Sequence, residues 1–251
     1  MNASHQPLTV NNLGQPIGFP VPNWTPPRIP ARQPMAGRHC RLEPLDATAH
    51  AHPLFDANSL DTEGRNWTYL AYGPFATFDE YAQWADAASA TEDTHFYTII
   101  PHSTGRPSGV ASYLRITPDS GSIEVGHLHF SPAIQRSPAA TEAMFLMMKR
   151  AFELGYRRYE WKCDALNAPS RAAAQRLGLS FEGIFRQATI YKGRNRDTAW
   201  YAAIDTDWPP LEQAFTKWLA PDNFDQHGQQ RISLRALTKP LLHEFVEAWP
   251  E

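Results

Sequence analysis

Little in this chain sorts it quickly into a class. Its 251 residues include two cysteines, Cys40 and Cys163, far apart in sequence. That excludes a disulfide framework and a cysteine-spaced metal site, and it fits a reducing cytoplasm. No metal ligands are expected. No apolar run approaches the roughly 18 residues of a membrane helix, and the amino terminus has no signal-peptide core. Long basic runs are missing and the net charge is −3, so no electrostatic footprint for nucleic acid is present. A G-x-x-x-x-G-K-[ST] loop is absent too, which removes the phosphate-binding NTPases.

What remains has a globular balance, 42% apolar and 20% charged. The length suits one domain with extensions, or two domains. Proline is plentiful in residues 1–36, around "GFPVPNWTPPRIPARQP". Proline fixes φ and lacks an amide donor, so this segment is expected as an extended arm, with Phe19 and Trp24 packing it onto the rest. A folded unit is expected over 37–206 and a helical tail over 207–251.

Strands are predicted at 38–43, 94–101, 108–118, 122–130 and 157–165, and two long ones flank a turn at Gly193. Helices are predicted at 46–58, capped by Asp46 and interrupted by Pro53, and after Thr77, whose spacing to Glu80 is that of a capping box. A strong helix spans 138–154, where Met144, Met147, Met148 and Ala151 recur on one face and Gly155 stops it. Another covers 168–177, and "PPLEQAFTKWLA" gives one more. "SLRALTKP" carries no clear pattern. The order predicts an α/β (α+β) chain with a mixed central sheet of about seven strands and helices on both faces.

The stretch "FSPAIQRSPAATEAM" reads as strand end, turn and helix start, with Ser137 as cap and Pro138 in the first turn. A helix start presents unpaired amides and partial positive charge, which suits an anion. The amides of Arg136, Ser137, Ala139 and Ala140 are the donors in question, with the hydroxyls of Ser137 and Thr141 nearby and the charge of Arg136 beside them. A plain structural cap is the other reading of the same residues.

Residues 123–202, "IEVGHLHFSPAIQRSPAATEAM…AWYA", resemble the GNAT N-acetyltransferases, in particular the RimJ/RimL branch named for ribosomal-protein N-terminal acetylation. The likeness runs from about 38 to 205. In that family the turn reads Gln or Arg, two residues, Gly, one residue, Gly or Ala, and its amides hold the pyrophosphate of acetyl-CoA. Here Gln135 and Ala140 match, while Pro138 stands in the central glycine place and removes one amide. The resemblance implies the GNAT acyl-CoA N-acyltransferase fold and acetyl-CoA as cosubstrate. It also implies that strands 122–130 and 158–164 part at one end, where pantetheine pairs with the free edge.

It further implies site residues. Glu124 is the candidate general base. His127 is the reserve, because strict alternation puts His127 and His129 on the other face and a bulge would change that. Asn167 would contact pantetheine and Ser170 would donate to the thiolate, with Tyr191 and Tyr201 as further donors and Arg171 reaching a phosphate. Capping alone also accounts for Asn167. The acceptor is a primary amine, on a protein amino terminus, a small amine or an amino-acid derivative, and the aromatics of 66–75 form its wall or part of the core. A homodimer is compatible with the sequence. The competing expectation is a GNAT-fold module that binds CoA or a partner without catalysis.

Overall fold

The computed structural model describes residues 9–243. A small hairpin of β1 (Thr9–Val10) and β2 (Pro16–Ile17) opens the arm. The main strands are β3 (Met35–Ala36), β4 (Cys40–Pro44), β5 (His95–Pro101), β6 (Gly109–Thr117), β7 (Ser122–Phe130), β8 (Arg158–Asp164), β9 (Ser180–Tyr191) and β10 (Arg194–Ile204). They form one eight-stranded sheet in the order β3-β4-β5-β6-β7-β8-β10-β9. The pair β7–β8 is parallel, and the other neighbours are antiparallel. The strand beyond the expected seven is the two-residue β3, too short to leave a period in the sequence.

Helices cover both faces. On one, α1 (Ala47–Asn58) and α2 (Phe78–Ala90) bury Leu54, Tyr81 and Ala85 against Phe96 and Val110. On the other, α3 (Pro138–Glu153) buries Met144, Met147 and Met148 in a core with Tyr113, Ile123 and Tyr159. The chain adds α4 (Ala168–Arg176), α5 (Trp208–Leu219) and α6 (Leu234–Thr238). Caps form where the sequence places them: Asp46 accepts from the Ala49 amide, Thr77 and Glu80 close a capping box, and Asn167 accepts from Ser170. Pro53 does not interrupt α1. The helix continues through it, and burial of Ala51 and Leu54 beside α2 offsets the missing donor. Among the described residues, no helix is long and apolar enough to cross a membrane.

The arm packs from Trp24 onward. The Trp24 indole lies against the Arg157 guanidinium. Arg150 donates to the carbonyls of Ala31 and Gln33, and the Tyr97 and Tyr156 hydroxyls donate to Ala31 and Arg28. Phe19, expected to pack, stays 48% exposed, because the chain around it meets no apolar surface.

The start of β4 is held by a long-range contact. The buried Glu142 carboxylate, in the first turns of α3, accepts from the Arg38 amide at 2.8 Å, His39 at 2.6 Å and Cys40 at 2.9 Å. A Cβ on Gly37 would lie 2.4 Å from that carboxylate. Three amides converging on one buried charge satisfy it without a cation. A second fixed point is an aromatic cluster under residues 65–75, where Trp67 stacks on His129 at 3.7 Å. Burial pushes both His127 and His129 down to about 4, with Arg115 adding to the effect at His127. The unfolded chain therefore binds protons below pH ~6.5 that the folded chain refuses, and stability falls as pH drops from there towards 4.

Two outcomes are expected. Glu142→Gln turns a donor towards donors and lowers unfolding free energy by about 2–4 kcal/mol, read from urea midpoints. His129→Phe keeps the stack and removes about one proton from the uptake on unfolding, so its stability declines less steeply between pH 6.5 and 4 than the parent's. Parallel pH profiles would show that His129 does not stay neutral in the folded chain.

Candidate active site

The sheet opens where β7 and β8 stop pairing. Their parallel ladder runs from Ser122↔Arg158 to Val125↔Trp161 and ends there. Beyond it β7 stays with β6 and β8 stays with β10. Between them lies a cleft of about 570 Å³, lined among others by Glu124, His127, Trp161, Asn167, Ser170 and Tyr191. The backbone groups on the facing edges of the parted strands have no strand partner across the gap.

β7 carries a bulge at the parting. Val110 pairs with His129 and Ser112 with Gly126, so two residues stand opposite one. His127 absorbs the irregularity at φ 52°. This swings it into the same cleft as Glu124, where alternation alone would have turned it away. Its Nδ1 lies 3.2 Å from the Tyr72 hydroxyl, and burial keeps that phenol protonated. The depressed basicity of His127 leaves its imidazole neutral at physiological pH.

Glu124 is buried, on the sheet face opposite α3. Arg115 donates to its Oε1 at 2.7 Å and Lys162 Nζ lies 2.8 Å from Oε2. Lys162 also pairs with Glu160 at 2.8 Å and sits 3.8 Å from the centre of the Trp200 ring. Charge alternates onward through Arg158 to Glu182. The carboxylate is thus fixed at the cleft with a cation on each oxygen. The sequence reading missed Arg115 and Lys162, since their pairing depends on strand register.

The turn before α3 spends some of its donors internally. The Gln135 amide binds the Ser131 carbonyl, and Ser137 binds that of Ile134. The Gln135 side chain donates to Asn66 and to the Phe130 carbonyl. The Ser137 hydroxyl donates to Ile134 and accepts from the Ala140 amide. That narrows the expected four-amide seat: the amides of Arg136 and Ala139 are the two with no acceptor among the described residues. Arg136 takes φ 58° to aim them, the conformation a glycine would have held more easily. Thr141 lies one turn in, and its hydroxyl accepts from Arg176. Arg171 donates instead to the Tyr201 hydroxyl and the Ala165 carbonyl. No local signal in the sequence separates these two arginines.

At the other wall, Asn167 Oδ1 caps α4 and leaves its amide donors towards the cleft. Ser170 Oγ accepts from Trp161 at 3.0 Å, and its own proton lies within reach of the Cys163 sulfur at the cleft. Beside it, burial raises the Cys163 thiol. Tyr191 donates to Asp164 at 2.9 Å, and burial with that carboxylate pushes the phenol up to about 12. Within 66–75, Trp67 and Phe75 are packed in the α1–α2 core, and Tyr69, Leu70 and Ala71 line the cleft.

Comparisons with known proteins bear on this geometry. The family model of the acetyltransferase (GNAT) domain matches residues 39–180. A GCN5-related N-acetyltransferase from Brucella melitensis is 47% identical, with a TM-score of 0.85 over 87% of this chain and 100% of its own. A probable GNAT-family acetyltransferase from Chromobacterium violaceum is 40% identical, with a TM-score of 0.72 over 77% of this chain and 97% of its own. RimL, a ribosomal L7/L12 α-N-protein acetyltransferase solved with coenzyme A, shares the fold at 21% identity and a TM-score of 0.58, over 67% of this chain and 96% of its own. No curated protein matches the sequence. With the domain matched over most of the sheet and a solved relative at nearly half identity across its full length, the chain belongs to the GNAT acetyltransferase family.

Proposed function

We propose that the protein transfers the acetyl group of acetyl-CoA to a primary amine entering from the sheet face that bears Glu124. The parting of β7 and β8 beside two unspent amides at the start of α3 carries this reading. The family performs acetyl-CoA-dependent acyl transfer, and a RimL structure of the same fold holds coenzyme A. The residues present fit that cosubstrate. Arg136 and Ala139 offer amides for a diphosphate, the free edge of β7 offers peptide groups for the pantetheine amides, and Asn167 faces the same channel.

The amine nitrogen attacks the thioester carbonyl carbon and the carbon–sulfur bond breaks. The amine proton passes to Glu124, directly or through a water. Amides of residues 127–130 meet the developing oxyanion, and the Ser170 hydroxyl donates towards the leaving thiolate. One observation favours a second proton route. His127 is neutral, reaches the same cleft through its bulge, and has Nδ1 oriented by Tyr72.

Expected outcomes follow from these assignments. Arg136→Asp suits the backbone conformation at that site and reverses its charge, so calorimetry should give a CoA Kd at least ~10-fold higher with an unchanged melting temperature. Undiminished affinity would remove the diphosphate from the start of α3. Glu124→Gln lowers kcat by ~10²–10⁴-fold and His127→Phe by only a few-fold. The reverse pattern would assign the proton to the imidazole. Tight CoA binding with no turnover across an amine panel would leave a binding module.

A further inference from the structure

Among the charged groups lining the cleft, one has neither an ionic nor a side-chain hydrogen-bond partner among the described residues. Glu124 is paired to Arg115 and Lys162, and Asp164 is satisfied by the Tyr191 hydroxyl and the Leu166 amide. Arg196 lines the same cleft, yet no carboxylate lies within ion-pair distance of it among the described residues. Its Nε is buried with no hydrogen-bond partner. A guanidinium with no partner at the wall of a cleft is a ready seat for an anion, its exposed nitrogens being the ones a ligand would reach.

The surroundings hold Arg196 in place. Its guanidinium carbon is 5.7 Å from the centre of the Tyr191 ring, and that ring is fixed by the bond from its hydroxyl to Asp164. The β9–β10 ladder is irregular beside it: Arg196 pairs with Thr189 and Thr198 with Phe185. Gln187 lies in that bulge at φ 50°, with its amide tied to the Asp197 carboxylate. A bulge beside a cleft re-aims the neighbouring side chain. Further along β10, the Trp200 indole N–H is a second buried donor without a partner, also at the cleft. Phe185, Ile190 and Leu70 give the same space an apolar lining.

The geometry points to Arg196 as the carboxylate seat of the acceptor: the amine acetylated here belongs to a free amino acid with an apolar side chain, and Arg196 receives its carboxylate. This rests on the acetyltransferase reading above and narrows it from any primary amine to a zwitterionic one. A guanidinium meets a carboxylate through two parallel hydrogen bonds, which fixes the amine's direction as well as holding it.

The test has a binding arm and a kinetic arm. By calorimetry, N-acetyl-L-phenylalanine and N-acetyl-L-leucine bind the CoA-loaded protein at least ~10-fold more tightly than their carboxamides, and Arg196→Gln erases that difference while Arg196→Lys keeps part of it. In turnover, phenylalanine and leucine outperform phenylalaninamide and leucinamide, and Arg196→Gln raises KM for the free acids with kcat nearly unchanged. CoA affinity and melting temperature stay at the parent's values. Equal affinity for acids and carboxamides in the parent overturns the assignment, as does an Arg196→Gln variant that retains the preference or loses CoA instead. Failure of the parent to bind CoA at all would strike the acetyltransferase reading, which the titration without CoA separates from the carboxylate seat.

Discussion

The structure depends on a parallel ladder that is allowed to run for only four residue pairs, from Ser122↔Arg158 to Val125↔Trp161. A sheet interior with unpaired edges is ordinarily unstable, since each buried peptide group left without a partner costs free energy comparable to a lost hydrogen bond. Here β6 holds one strand and β10 the other, so neither is free to close the gap. The extra residue at His127 increases the local twist of β7 at the point of separation. The cleft is therefore a property of the backbone, and side chains furnish it.

The charges across the front of the sheet belong to placement more than to stability. Arg115, Glu124, Lys162, Glu160, Arg158 and Glu182 alternate in sign from β6 to β9. Taking such groups out of water costs about as much as their mutual attraction returns, so a net gain from the row is small. What the row does achieve is geometric. Glu124 has a cation at each oxygen and cannot swing, and the Lys162 ammonium is pinned against the Trp200 ring. His127, neutral and held by Tyr72 from behind, faces the same space without adding charge.

Much of this was legible in the sequence wherever the cause was local. The caps at Asp46, Thr77, Ser137 and Asn167 each act on an amide within three residues, and the structure forms all four. The apolar face of α3 followed from period alone. The β7 bulge was anticipated only through the family likeness, because nothing in "EVGHLHF" itself separates a regular strand from a bulged one. Contacts fixed by register or by long loops stayed hidden. Examples are the cations on Glu124, the bonds of Arg176 to Thr141 and of Arg171 to Tyr201, and the grip of Glu142 on β4. Pro53 misled because propensity registers its missing donor and not the burial of its neighbours. Phe19 misled because residue type says nothing about whether a surface is near.

The grip of Glu142 reaches beyond its own hydrogen bonds. Its carboxylate occupies the volume that any side chain at Gly37 would need, although 104 residues separate it from the first amide it holds. The two positions are therefore not free to drift independently over evolutionary time. A chain that acquired a larger residue at one would have to relinquish the acid at the other, and with it the anchoring of the sheet's far edge.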